Sequence, residues 1–466
     1  MLDYAVRIGL VPERRYLPGP KRTGIFNPDY AVENKNRAVK YIKEHFSDEN
    51  TVFFDLDFLN DEGLLYHVDQ CEAVRDYFLK HKVDAIFILN CNFGNEEAAG
   101  EIAKMMRLPT LLWGPIDTVF DADGTRYTDA QCGLFAISKQ LKRANLPFSY
   151  IENCDVADPV FADGLRQFLS VTCMLKNFKK LKIAQVGVRL QPFKSVASNE
   201  VELMEQFGID ITPVNMAVAS EKLERIFKEE QTALKRLLQE TRQKFDLGST
   251  DEETLLKMMT FVKFYQELFL ETGADVISTE CWTSMQLAFG AMPCLAMSLL
   301  ADMGYPVICE SDIHGAISSA LLSCAARGKV PPLFGEFTTR NPQNKNAELL
   351  WHCGPFAFSS KRPGAKASLY NLRPSFPTAD GEYTICRFQG ERGKYYLLGG
   401  GFHTTEGPYT FGTYMWAEFP DLSKVERKLI EGPYIHHMSE ILGNFTGVLK
   451  EFAKFVPNLV FEDINE

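Results

Sequence analysis

The sequence lacks any uninterrupted apolar run of about 18 residues, so nothing in it reads as a membrane-spanning helix. It has no CxxC pair and no regular cysteine spacing, which argues against a zinc ribbon or a disulfide framework. Its eleven cysteines are an odd number, and several (Cys173, Cys294, Cys324) sit in apolar stretches, where free cysteine packs as a small hydrophobe. A reducing cytoplasm is the expected setting. There is no excess of basic residues: 50 Lys and Arg against 61 Asp and Glu leave a formal charge of −11, which speaks against a dedicated nucleic-acid partner. Internal repeats and low-complexity tracts are also missing. The opening stretch MLDYAVRIGLVPERR is only briefly apolar and reads as a first strand, not a signal peptide.

What is present is an ordinary globular composition spread over 466 residues, too many for one hydrophobic core. Short apolar runs, AVRIGLV (5–11), TVFFDLD (51–57), VDAIFILN (83–90) and TLLWG (110–114), alternate with amphipathic stretches such as CEAVRDYFLKH (71–81). That alternation predicts a parallel sheet covered on both faces. A long helix over 159–179 leads to a second unit of the same kind. Its strands are expected at 182–188, 209–214, 274–280 and 306–310, and its helices at 196–208, 217–243, 251–272, 284–304 and 313–326. After about residue 328, Pro, Gly and Thr become frequent, and EYTICRF (382–388) and KYYLLGGG (394–401) look like paired strands. Three domains are expected: 1–175 (α/β), 176–328 (α/β) and 329–466 (β-rich), the last closing with a helix over 438–454.

In open α/β sheets ligands gather where strands end and helices begin. Glu310 ends the apolar segment PVIC and is followed at once by the capped helix SDIHGAISSALL. A charge there needs a cation or hydrogen bonds, although a helix N-terminus alone also favours an acid. Glu336 in GEF, His352 in WHCG and the pair His436–His437 in GPYIHH complete a set of carboxylates and imidazoles. Such a set suits Mn²⁺ or another divalent cation with open positions for substrate oxygens.

Taken in order, PVICESDIHGAISSALL, GEF, WHCG and GPYIHH resemble the L-fucose isomerase and L-arabinose isomerase superfamily. GLVPERR (9–15), NCNFGNE (90–96) and LLWG (111–114) extend the likeness to the N-terminal part. The resemblance implies two doubly wound parallel-sheet α/β domains followed by a β-barrel-like C-terminal domain, a homotrimer or homohexamer, and Mn²⁺-dependent interconversion of an aldose and its ketose. It implies metal ligation by Glu310, Glu336, His352 and His437. Glu310 and Glu336 would also be the acid–base pair, working through a cis-enediol or enediolate. Fucose isomerases carry aspartate where this chain has Glu336. Arabinose isomerases match the Glu, Glu, His, His set, while the ERR and CESDIHG segments resemble the fucose branch. Arg14, Arg15, Asn92, Trp113, Glu280, Trp282 and His436 are the expected sugar contacts, and Asp312 the expected helix cap. Two other readings remain open, a non-catalytic sugar-binding protein and a metal-dependent hydrolase acting on a carbohydrate.

Overall fold

The computed structural model describes residues 1–17 and 25–466. The chain divides into two compact units, Tyr4–Lys176 and Asn177–Glu466 together with Met1–Asp3. The first is a five-stranded parallel sheet with order β2-β1-β3-β4-β5. Its strands are β1 (Val6–Glu13), β2 (Thr51–Phe54), β3 (Ala85–Asn90), β4 (Thr110–Trp113) and β5 (Phe148–Tyr150). Every residue of β3 is buried, as expected of a parallel strand with helices on both faces. Val11, Ile86, Ile88 and Leu112 pack with Phe78, Ile102 and Ile137 of the covering helices.

The second unit opens with a four-stranded parallel sheet of order β7-β6-β8-β9. These strands are β6 (Lys182–Val186), β7 (Asp210–Val214), β8 (Val276–Thr279) and the two-residue β9 (Val307–Ile308). Two expected long helices are broken. The 217–243 segment is Met216–Glu229 and Gln231–Lys244, and the 284–304 segment is Ser284–Phe289 and Cys294–Asp302. Gly290 in a left-handed conformation and Pro293 just before the second piece account for the latter break.

The remaining strands are β10 (Leu333–Arg340), β11 (Ala347–His352), β12 (Ser368–Tyr370), β13 (Arg373–Pro377), β14 (Glu382–Glu391), β15 (Lys394–Thr405), β16 (Thr413–Glu418), β17 (His437–Leu442) and β18 (Leu459–Asp463). Six of them run β16-β11-β10-β17-β14-β15, and β15 pairs back onto β16 through His403–Glu418 and its neighbours, closing a barrel. Here one expectation fails: 438–454 is not a single helix. HMSEIL forms β17, hydrogen-bonded on both sides by β10 and β14, and only Thr446–Ala453 is helical. Gly443, at φ 113, ends the strand in a conformation that other residues adopt poorly.

Candidate active site

Glu310 stands where β9 turns sharply into the helix Ile313–Ala325. Its φ of 67° and that of Ser311, 54°, are left-handed. Non-glycine residues pay for that conformation, and such strain gathers at functional turns. The turn aims the Glu310 carboxylate inward at 8% exposure, where Oε1 accepts from Trp282 Nε1 at 3.1 Å. Glu336 and His437 face each other across the β10–β17 ladder, and β11 on the other side of β10 carries His352 at its end. His437 Nε2 lies 3.2 Å from Glu310 Oε2 and 3.8 Å from Glu336 Oε2. Glu310, His352 and His437 each offer a ligand atom within 4.8 Å of the others, and Glu336, His436 and His437 form a second such triplet sharing His437.

A divalent cation fits this set on structural grounds. Glu310 Oε2, His352 Nε2 and His437 Nε2 are buried without a well-formed hydrogen bond, the first and last meeting only each other at 3.2 Å, an arrangement that costs energy unless something else satisfies them. Burial pushes the Glu336 carboxyl above its usual range, against the pull of His352 and His437. Burial lowers the imidazole of His352, but Cys353, Glu310 and Glu336 outweigh it and raise its pKa to about 10. His437 is raised likewise, by its bonds to Asp312 and Glu310. Partial burial, and after it the neighbouring His437, hold the His436 imidazole down at about 4, with its Nε2 3.5 Å from Glu336 Oε2.

Asp312 is the helix cap the sequence suggested, accepting from Gly315 N at 2.8 Å, but it does more. Fully buried, it accepts two bonds from Arg387 of β14, at 2.5 and 3.2 Å, and lies 3.0 Å from His437 Nδ1. That contact fixes which face of the imidazole is free, since Nδ1 is taken and Nε2 points to the carboxylates. Arg387 was invisible in sequence, because a single arginine in EYTICRF reads as an outward-facing strand position.

A cavity of about 200 Å³ opens beside Glu310 and is walled by Trp282, Gln286, Trp351, Cys353 and Arg373. Arg373 is half-buried, its Nε has no hydrogen-bond partner, and no carboxylate among the described residues pairs with it. A larger cavity, about 380 Å³, lies along β10 toward the helix Leu422–Glu431 and reaches only His436 of the cluster. The smaller one is therefore the better substrate space, because it contains Glu310. Glu280 does not face it as a sugar contact. Its carboxylate accepts from Val188 N at 3.1 Å and from Ser284 Oγ, tying the loops after β6 and β8 together.

The other expected sugar contacts lie in the Tyr4–Lys176 unit, at the carboxyl ends of β1, β3 and β4. Arg15 N donates to Asn92 Oδ1 at 2.9 Å, and the Arg15 guanidinium sits 4.4 Å over Phe93. Arg14 binds Glu62 at 2.6 Å and covers Tyr66 at 4.0 Å. Asn92, fully buried, also accepts from Phe93 N and Gly94 N, so it organises the loop. Trp113 is 1% exposed, with its ring 4.7 Å from Phe161 in the core of this unit. A ring so enclosed presents no face to a sugar.

Residues 20–179 match the family described as Fucose/sulfoquinovose isomerase, N-terminal domain. Sulfoquinovose isomerases of Priestia aryabhattai and Priestia megaterium are each 25% identical over 452 residues, covering 95% of this chain and 97% of theirs. That of Alkalicoccus urumqiensis is 26% identical over 317 residues, 65% of this chain and 68% of its own. Those matches run through both the α/β sheets and the closed barrel, and with the family match they show a chain similar over nearly its whole length to the fucose isomerase-like superfamily.

Proposed function

We propose that the protein is a metal-dependent aldose–ketose isomerase, with Glu310, Glu336, His352 and His437 as cation ligands and the two glutamates as the acid–base pair. The observation that carries this reading is the convergence of buried carboxylate and imidazole atoms of Glu310, His352 and His437 beside a cavity, with Glu336 of β10 joined to them through a second triplet that shares His437. A bound divalent cation, Mn²⁺ or a similar ion, would supply Lewis-acid polarisation of two neighbouring sugar oxygens. The chain's own contribution is the movement of protons. One glutamate removes the C2 proton of the aldose while its partner, in the acid form, protonates O1 to give the cis-enediol; delivery of a proton to C1 and loss of the O2 proton to the partner then give the ketose and restore both carboxyl groups. Burial, by raising the Glu336 pKa, favours a carboxyl that can hold a proton as well as release one. Trp282 keeps the Glu310 carboxylate oriented, and Asp312 does the same for His437.

Arg373 supports a finer reading of the substrate. An unpaired guanidinium on the wall of a cavity containing Glu310 favours an aldose that carries an anion away from its reacting carbons. The relatives' name, sulfoquinovose isomerase, denotes a sulfonated sugar and agrees with that. The test is a panel of neutral, phosphorylated and sulfonated aldoses, offered to chelator-treated protein with and without Mn²⁺ and scored for ketose. Cation-dependent ketose formation is expected. Hydrolysis products, or binding without turnover, would reject the isomerase assignment.

A further inference from the structure

Four cysteines far apart in the chain meet on one side of the same cavity. Cys294 Sγ is 3.7 Å from Cys353 Sγ, and Cys353 Sγ is 3.3 Å from His352 Nδ1. Cys309 Sγ lies within 4.8 Å of Cys353 Sγ and 3.8 Å from Met297 Sδ, and Cys281 lines the same cavity. Ligand atoms of Cys309, His352 and Cys353 all fall within 4.8 Å of one another. Zinc–sulfur bonds of about 2.3 Å at the tetrahedral angle hold two sulfurs about 3.8 Å apart. The Cys294–Cys353 spacing is thus already that of two ligands on one ion. Burial of single cysteines as small hydrophobes does not call for an imidazole and a thioether among them. Cys281, Cys294 and Cys353 line the cavity, which gives an ion a route in.

We propose that this thiol cluster is a second metal site, for a thiophilic cation of the Zn²⁺ or Cd²⁺ kind, and that filling it switches the enzyme off by claiming His352. The inhibitory half rests on the isomerase reading; the binding half does not. His352 belongs both to the sulfur-rich triplet and to the triplet with Glu310 and His437; its Nδ1 lies on the thiol side, where it accepts from Cys353 N at 2.9 Å, so an ion bound there breaks that bond and reorients the ring whose Nε2 the other site uses. Thiolates prefer soft cations and carboxylates hard ones, which keeps the sites chemically distinct. Each thiol that ligates releases one proton to solvent, so occupancy leaves no redox change to account for.

The probe is Cd²⁺, added to reduced, metal-free, full-length protein and followed by the ultraviolet sulfur-to-cadmium absorption. The band is expected to saturate at one equivalent, to persist in Cys132→Ser, where the cysteine is exposed, and to be lost in Cys309→Ser/Cys353→Ser. Cys353→Ala alone, a smaller change, is expected to weaken it, and circular dichroism reports whether each variant folds. No band, or a band that survives in a folded Cys309→Ser/Cys353→Ser protein, overturns the site. With Mn²⁺ in excess, Cd²⁺ is expected to cut wild-type aldose turnover at least about tenfold, each variant being normalised to its own cadmium-free rate. A band with undiminished turnover overturns the sharing of His352. Absence of any isomerisation with Mn²⁺ alone defeats the functional reading instead, while the absorption still decides the thiol site.

Discussion

Replacing Asp312 with Asn separates two roles that the structure assigns to one side chain. Asn caps helices about as well as Asp, so the bond to Gly315 N contributes little to the difference. What changes is charge. Arg387 is fully buried, and its neutral contacts are to Gln389 Oε1, at 3.0 and 2.9 Å, so Asp312 is its one paired carboxylate among the described residues. Removing one partner of a buried ion pair costs about 3–5 kcal/mol, because the other charge stays behind in a poor dielectric. The same change loosens the hold on His437 Nδ1, and losing an outer partner of a metal ligand lowers metal affinity about 10- to 100-fold. Urea unfolding of metal-free protein at neutral pH measures the first effect, and Mn²⁺ titration of the folded variant the second. The acid limb should move too. Despite its burial, Asp312 is held well below the usual carboxylate range by Arg387 and His437, so its stabilisation is present above about pH 4 and is lost as the protein is acidified through the native value. An Asp312→Asn protein that unfolds within about 1 kcal/mol of wild type, with unchanged Mn²⁺ affinity, refutes the reasoning.

Glu310→Gln and Glu336→Gln should each lower aldose turnover by about 10²- to 10⁴-fold while leaving the barrel folded; near-normal turnover in both removes them from the mechanism. Arg373→Gln should reduce kcat/KM for a sulfonated or phosphorylated aldose by about 10- to 100-fold, the worth of a hydrogen bond to a charged group, and barely change it for a neutral one. Equal losses on both substrates would mean that Arg373 supports the cavity without reading an anion. In the other unit, burial raises the Glu13 carboxyl to about 8, although Asn95 N donates to it. The unfolded chain ionises first, near 4.5, so this group's stabilisation is complete below that pH and falls as pH rises through about 8. The span of 8 − 4.5 = 3.5 units corresponds to an upper bound of about 5 kcal/mol. Thermal melts of Glu13→Gln between pH 5 and 9 should therefore be flatter than wild type, and parallel curves would refute this.

Much of the fold was legible because parallel strands are apolar throughout and helices are periodic. Glu310 stood out for a related reason, as a lone acid between an apolar strand and a capped helix, although a helix N-terminus alone also favours an acid. His437 was placed in the site but on the wrong element. The spacing of apolar residues in HHMSEILGN satisfies helical and strand patterns alike, and only pairing with β10 and β14 decides between them. Arg387, Arg373 and the cysteine cluster were not legible at all. Each depends on barrel register or on segments brought together from afar, and local sequence carries no record of such distances. Glu280 and Trp113 were read as sugar contacts because they end strands, yet one ties loops and the other fills a core.

Glu310 and Asp312 stand on the short turn after β9, whereas Glu336, Arg387 and His437 stand on barrel strands. On the proposed mechanism, neither group forms a competent centre by itself. Any event that separates the four-stranded sheet from the barrel, whether heat, proteolytic nicking or an inherited lesion in their shared packing, therefore disables chemistry at the same moment that it breaks cohesion. Residual activity in this protein should be a direct gauge of its intactness.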